Sequence, residues 1–258
     1  MENMLNILLV GNTGVGKSSI LNLFGAPFKA DFALIDGLTS ETECFVLKIN
    51  GKQVRLIDAP GLIENSDQRI SRNAEEITRA LKFGGKYKLV FVYQSNSGRL
   101  LPHDVFTTTK VCKAINHCLE VGLIINKVDE EDMEKYDNEK NRLQIAQALS
   151  KATNEKLKAD NIIALEYCKP RERHKLKPKL LSYIEALHAD AINQVDPIHA
   201  NLKEINKFVK WFNSILTTVA VAGGIMSYPV THKLGQWDKM WDRLGEAKFV
   251  QESHFGDN

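Results

Sequence analysis

The sequence predicts a three-layer α/β fold: a mostly parallel sheet with one antiparallel edge pair, helices on both faces, and a C-terminal helical extension. Three observations carry this. Short apolar runs alternate with longer helical patterns, the signature of strands joined by crossover helices. The first apolar run ends in a glycine loop that opens a helix. Asn50-Gly51 joins two apolar-rich runs, and an Asn-Gly pair in that position is a strong hairpin signal.

Taken in order, residues 4–10 read as a buried strand and 17–24 as a helix. The runs 43–49 and 52–58 form the antiparallel pair, and 88–93, 120–126 and 161–165 are further strands. Helical patterns fill 69–82, 104–118, 137–152 and 176–194. Asp196-Pro197 then breaks the pattern, so the expected division is 1–192 for the α/β domain and 193–258 for the extension. With 43% hydrophobic and 26% charged residues, a sizeable core is attainable. The four cysteines (Cys44, Cys112, Cys118, Cys168) contain no CxxC pair, which points to buried free thiols rather than metal binding or a disulfide framework. A net charge of +2 supplies no strong field, and nucleic acid is not expected among the partners.

Gly11-Asn12-Thr13-Gly14-Val15-Gly16-Lys17-Ser18 matches GxxxxGK[ST] at every fixed position, between a predicted strand and a predicted helix. Glycines let successive backbone N–H groups converge on phosphate oxygens, and the helix N-terminus adds partial positive charge. Lys17 is expected to reach the β- and γ-phosphates and Ser18 to ligate Mg²⁺, with Ser19 completing the loop's contacts. Asn126-Lys127-Val128-Asp129 is an NKxD sequence directly after a predicted strand. A carboxylate at Asp129 accepts from the ring N–H and exocyclic amine of guanine, whereas adenine offers an acceptor at that ring position. Discrimination by such buried hydrogen bonds is strong. The stem of Lys127 is expected to cover one face of the base, and Asn126 to tie this loop to the phosphate loop. Together these motifs predict a P-loop NTPase G domain that binds GTP or GDP.

Asp58-Ala59-Pro60-Gly61 matches DxxG. Asp58 is expected to hold Mg²⁺ through water, and Gly61 to offer a backbone N–H to the γ-phosphate, so that loss of that phosphate releases the segment. Two threonines could give the remaining Mg²⁺ ligand, Thr39 and Thr42. In GTPases with this hairpin geometry the ligand often lies nineteen positions before the DxxG aspartate, which favours Thr39. Lys17, Thr39 and Gly61 are thus the expected catalytic set. Position 62 is Leu where Ras-like enzymes place a water-orienting glutamine, so hydrolysis is expected to be slow. Gln68 is a minor candidate for that role. Gly14 stands where some glutamine-lacking GTPases carry a potassium-coordinating Asn, so potassium activation is not expected.

GNTGVGKSS, LIDAPGL and INKVD resemble the AIG1/GIMAP and Toc34-like GTPases, relatives of the septins. Residues 97–104 resemble that family's GRxTxED-like box, with Leu101 and His103 departing from it. The resemblance covers about residues 4–190. It implies homodimers or homo-oligomers joined across the nucleotide face, with Arg99 as an interface candidate, and in some members a C-terminal hydrophobic anchor.

The basic run 169–179 reads as a solvated linker, or as a surface for acidic headgroups or an acidic partner. Residues 211–231 carry no charge and approach the ~20 residues that span a bilayer, but Gly223, Gly224 and Pro229 weaken that reading. A cytoplasmic protein is expected, with this segment either a helix docked on the G domain or on a dimer partner, or associated with a membrane.

Overall fold

The computed structural model describes residues 4–29, 40–96, 100–117, 119–153 and 156–220. Its elements, in chain order, are β1 (Leu5–Val10), α1 (Lys17–Asn22), β2 (Glu43–Ile49), β3 (Lys52–Asp58), α2 (Asp67–Leu81), β4 (Lys86–Gln94) and α3 (Pro102–Ala114). There follow β5 (Gly122–Val128), α4 (Glu130–Asp137), α5 (Glu139–Thr153), β6 (Ile162–Glu166), α6 (Lys177–Ala186), β7 (Asp190–Ala191) and α7 (Leu202–Ala220). The sheet order is β2-β3-β1-β4-β5-β6. All pairings along it are parallel except β2 with β3. Asn50 and Gly51 have φ of 49° and 79°, the left-handed pair that a two-residue hairpin turn demands.

Side chains of the central strands alternate between two cores, as a period of two requires. Leu8, Val10, Leu89, Phe91, Leu123 and Ile125 face the cluster under α2, α3 and α5. Ile7, Leu9, Val90, Val92 and Ile124 face the smaller cluster under α1 and α6.

Three features differ from expectation. Residues 176–194 are not one helix: α6 ends at Ala186, and Asp190–Ala191 pair antiparallel with Lys86 and Tyr87. β4 starts at Lys86 but meets β5 only from Val90, so its first residues had a free edge for β7 to fill. The helical stretch around 137 is two helices. Asn138 is extended, and its side chain accepts from the Asn141 N–H at 3.2 Å to start α5. Of the thiols, Cys112 is buried but Cys44 is exposed on the edge strand β2, contrary to the buried reading; Cys118 lies outside the described residues.

α7 lies against α3. Phe208 is 1% exposed, meets Phe106 edge-on at 5.4 Å and stacks on Phe212 at 5.9 Å. Lys110 of α3 pairs with Glu204 at 3.0 Å. The start of the apolar segment, Trp211 and Phe212, therefore packs on the α/β body, while 221–231 lie outside the described residues. No helix among the described residues is long and apolar enough to cross a membrane. Phe208→Ala is expected to destabilise the chain by about 3 kcal/mol through the lost packing and the cavity left behind. The shift in urea midpoint measures it.

Candidate functional site

The site forms at the carboxyl ends of β1, β3, β4 and β5, where the chain leaves β1 with β3 on one side and β4 on the other. Open α/β sheets bind their ligands at such a place. The loop 11–16 is held from several directions. Lys17 Nζ donates to the carbonyls of Gly11 at 3.0 Å and Asn12 at 3.1 Å. Asn126 Nδ2 donates to Val15 O at 2.8 Å and Lys127 Nζ to Gly14 O at 2.6 Å. Gly16 has φ of 100°, and a Cβ there would stand 2.5 Å from Asn126 Nδ2, so both conformation and space require glycine.

A bulge in β5 places the residues of the NKxD segment. Ile125 pairs with Ala164 but Val128 pairs with Glu166, so β5 carries one extra residue across that interval. Lys127 takes the left-handed φ of 57°. Bulges re-aim side chains, and here Asn126 and Lys127 turn onto the phosphate loop. Asp129 follows as the N-cap residue of α4, exposed, with its carboxylate making no capping hydrogen bond.

The DxxG segment closes on the other side. Ser18 Oγ donates to Asp58 Oδ2 at 2.6 Å, so two hard oxygen donors already adjoin. They fit Mg²⁺, which takes few protein ligands and completes its shell with phosphate and water. Gly61 sits so near the loop that a Cβ would stand 2.2 Å from Thr13 N. Asn73 Nδ2 of α2 donates to Gly61 O at 2.6 Å and fixes it there. Thr42 is turned toward α2, its hydroxyl donating to Glu76 O at 3.0 Å. Thr39 lies outside the described residues, as do 97–99 with Arg99.

Comparison with known proteins matches residues 6–166 to the family model described as "50S ribosome-binding GTPase". The chain belongs to this family. Membership makes it a GTPase, with GTP and GDP as its nucleotides. It is similar to GTPase Der of Rickettsia typhi, 32% identical over 123 residues, which are 48% of this chain and 26% of that protein. It is similar to tRNA modification GTPase MnmE of Prochlorococcus marinus (strain MIT 9215), 27% identical over 163 residues, 63% of this chain and 34% of that one. The chain thus spans about a quarter to a third of the length of these curated relatives. Among solved structures, Era in complex with MgGDPNP and nucleotides 1506-1542 of 16S ribosomal RNA shares the fold: TM-score 0.50, 20% identity, 73% of this chain and 58% of that one.

One expectation is overturned. Nucleic acid was excluded on net charge, yet the family is described as ribosome-binding and Era is solved with ribosomal RNA. A net charge of +2 averages over local clusters, and 169–179 is such a cluster.

The GTPase site also uses residues that motif reading missed. Asp104, 2% exposed in the first turn of α3, accepts from Asn12 Nδ2 at 2.8 Å and from Gln94 N at 3.4 Å. Thr107 Oγ1 donates to Asn12 Oδ1 at 2.7 Å, so both ends of that amide are held by α3. Glu64 accepts from Thr13 Oγ1 at 2.7 Å. Burial holds the Lys17 amine below its usual range, against the opposing pull of Asp58, Asp104 and Glu64. A single signal for Asp104 existed in the sequence, its match to the last residue of the 97–104 box.

Burial pushes the Asp104 carboxyl up to about 6, against the hydrogen bonds from Asn12 and Gln94 and the charge of Lys17. Its folded value lies above the ordinary 3.8, so its contribution to stability is fully present below that pH and is lost as pH rises through about 6. Urea unfolding of the nucleotide-free GTPase is expected to give lower stability at about pH 7.5 than at about pH 5 from this group, and Asp104→Asn to narrow that difference.

Proposed function

We propose that the chain is a GTP-operated switch that hydrolyses its nucleotide slowly to GDP and phosphate until a second molecule assists. The carrying observation is the pair of clamps around one glycine loop: Asn126 and Lys127 on Val15 and Gly14, and Ser18 on Asp58. In this reading the loop 11–16 and Lys17 cradle the β- and γ-phosphates, with Ser18 and Ser19 at the helix N-terminus. Ser18 and Thr39 ligate Mg²⁺, and Asp58 holds it through water. Gly61 senses the γ-phosphate, Asp129 reads the guanine amine, and Lys127 covers the ring. Leu62 is fully buried in the core under α2, which supports slow intrinsic hydrolysis, because no side chain at that position reaches the attacking water.

The AIG1/Toc34-like placement is part of the proposal, supported by the DAPGL segment and by Asp104. So are the division into 1–192 and 193–258 and homodimerisation across the nucleotide face. Membrane association through 211–231 is the alternative to a docked helix, and the packing of Trp211 and Phe212 favours docking for the start of that segment. For a partner, the names of the relatives point to RNA: MnmE is a tRNA modification GTPase and Era is solved with ribosomal RNA. The exposed Lys169, Arg171, Lys175 and Lys177 offer phosphates a basic turn.

Two measurements check this reading. Asp129→Asn should shift preference from GTP toward XTP, since the amide puts an N–H donor against the guanine amine but in reach of the xanthine carbonyl; competition binding with both nucleotides decides it, and unchanged preference removes Asp129 from the base site. Single-turnover hydrolysis with Mg²⁺ over a wide protein concentration range is expected to show a rate per molecule that rises with concentration. A flat rate well above the uncatalysed background would contradict the need for a second molecule.

A further inference from the structure

The basic run after β6 is not uniform. Residues 170–176 form a 3-10 turn, and Lys169, Arg171, His174, Lys175, Lys177 and Lys179 are all exposed. Arg173 alone among these basic residues is drawn inward. Its Nη1 lies 3.4 Å from Ser19 Oγ, the residue immediately after the phosphate-loop serine. It lines a cavity of about 50 Å³ together with Ser19, Asn126, Lys127, Tyr167 and Leu176. That is the cavity bordered by the base-reading loop. Two cations therefore face one small space, which the Glu166 carboxylate also borders. Burial lowers the Lys127 amine, and the neighbouring Arg173 charge lowers it further. Like charges converge on a cleft at a cost unless the ligand there is electron-rich. A flat purine attached to phosphates is such a ligand: a planar guanidinium lies well over an aromatic face, and the lysine stem packs on a ring.

We propose that Arg173 is a nucleotide-binding residue that closes the guanine pocket together with Lys127. It stands beyond residue 166, where the family match ends. It comes from a turn that motif reading assigns to a linker. The inference rests on the guanine-nucleotide reading and adds a contact to it. The turn 170–176 thereby belongs to the site, while Arg171 and the flanking Lys169 and Lys177 stay exposed on its outer side.

The test is binding of a fluorescent GDP analogue to the whole chain, with equilibrium affinity and dissociation rate measured for wild type, R173A, R173K, R173Q and R171A. A cation over a ring contributes roughly the equivalent of a tenfold change in affinity. R173A and R173Q are expected to bind about tenfold more weakly, chiefly by faster dissociation. R173K should recover only part, because an ammonium lacks the planar face. R171A should match wild type, and the nucleotide-free melting temperature of R173A should be unchanged. R173A and R173Q within twofold of wild type would overturn the inference. An equal loss in R171A would also overturn it, by showing a general charge effect in place of a contact. If wild type itself fails to bind the analogue, the guanine-nucleotide reading fails, and that result is separate from either of these.

Discussion

A loop that binds phosphate must turn its N–H groups inward, and it has no ladder of its own to hold them there. In this chain the opposite groups are secured instead. The carbonyls of Gly11, Asn12, Gly14 and Val15 each accept a hydrogen bond, from Lys17, Lys17, Lys127 and Asn126 respectively. Holding these carbonyls fixes the plane of each following peptide, and with it the direction of the next N–H. The donors come from the helix that follows the loop and from a strand two positions away in the sheet, so the loop's shape depends on sheet order and on the bulge in β5. Asn12 adds a third anchor through its own side chain, which α3 grips at both ends.

Residues whose role is set by local chemistry were legible in the sequence. Asn50-Gly51 announces its turn because only a left-handed pair joins the two runs. The phosphate loop, the DxxG segment and the NKxD segment announce themselves because charge and backbone freedom are needed at fixed spacings. What escaped reading depends on distance. α4 has only Met133 and Tyr136 as apolar anchors and carries three acidic residues in its first turn, so it shows no apolar periodicity. β7 exists because β4 outruns β5, a fact of register. Asp104 and Arg173 are ordinary surface residue types in sequence; one is buried against Asn12 and the other drawn toward Ser19 only once the elements have packed. Exclusion of nucleic acid failed for a related reason, since a sum of charges carries no information about where they sit.

The C-terminal segment belongs to the same mechanical unit as the DxxG side of the site. Asn73 of α2 holds the Gly61 carbonyl. On the same helix, Asp67 accepts from the Leu202 N–H at 2.7 Å and Thr78 from the Ile198 N–H at 3.1 Å. α2 therefore touches Gly61 and the entry to α7 with buried or short hydrogen bonds at both places. α7 is tied in turn to α3 by Phe208 and by the Lys110–Glu204 pair, and α3 holds Asn12. The contacts form a closed ring from the glycine loop to Gly61 to α2 to α7 to α3 and back.

That ring bears on catalysis through Leu62. Its side chain is fully buried in the cluster beneath α2, and the backbone on either side is fixed by Gly61 against Thr13 and by the Glu64–Thr13 hydrogen bond. Extracting Leu62 toward a nucleotide would expose an apolar side chain, costing about 1.5–3 kcal/mol, and would deliver no group able to orient water. The segment is thus built to pack, and the polar groups within its reach, Thr13 and Glu64, are already bonded to each other. Under the proposed function, a segment so arranged leaves the acceleration of hydrolysis to a group from outside it.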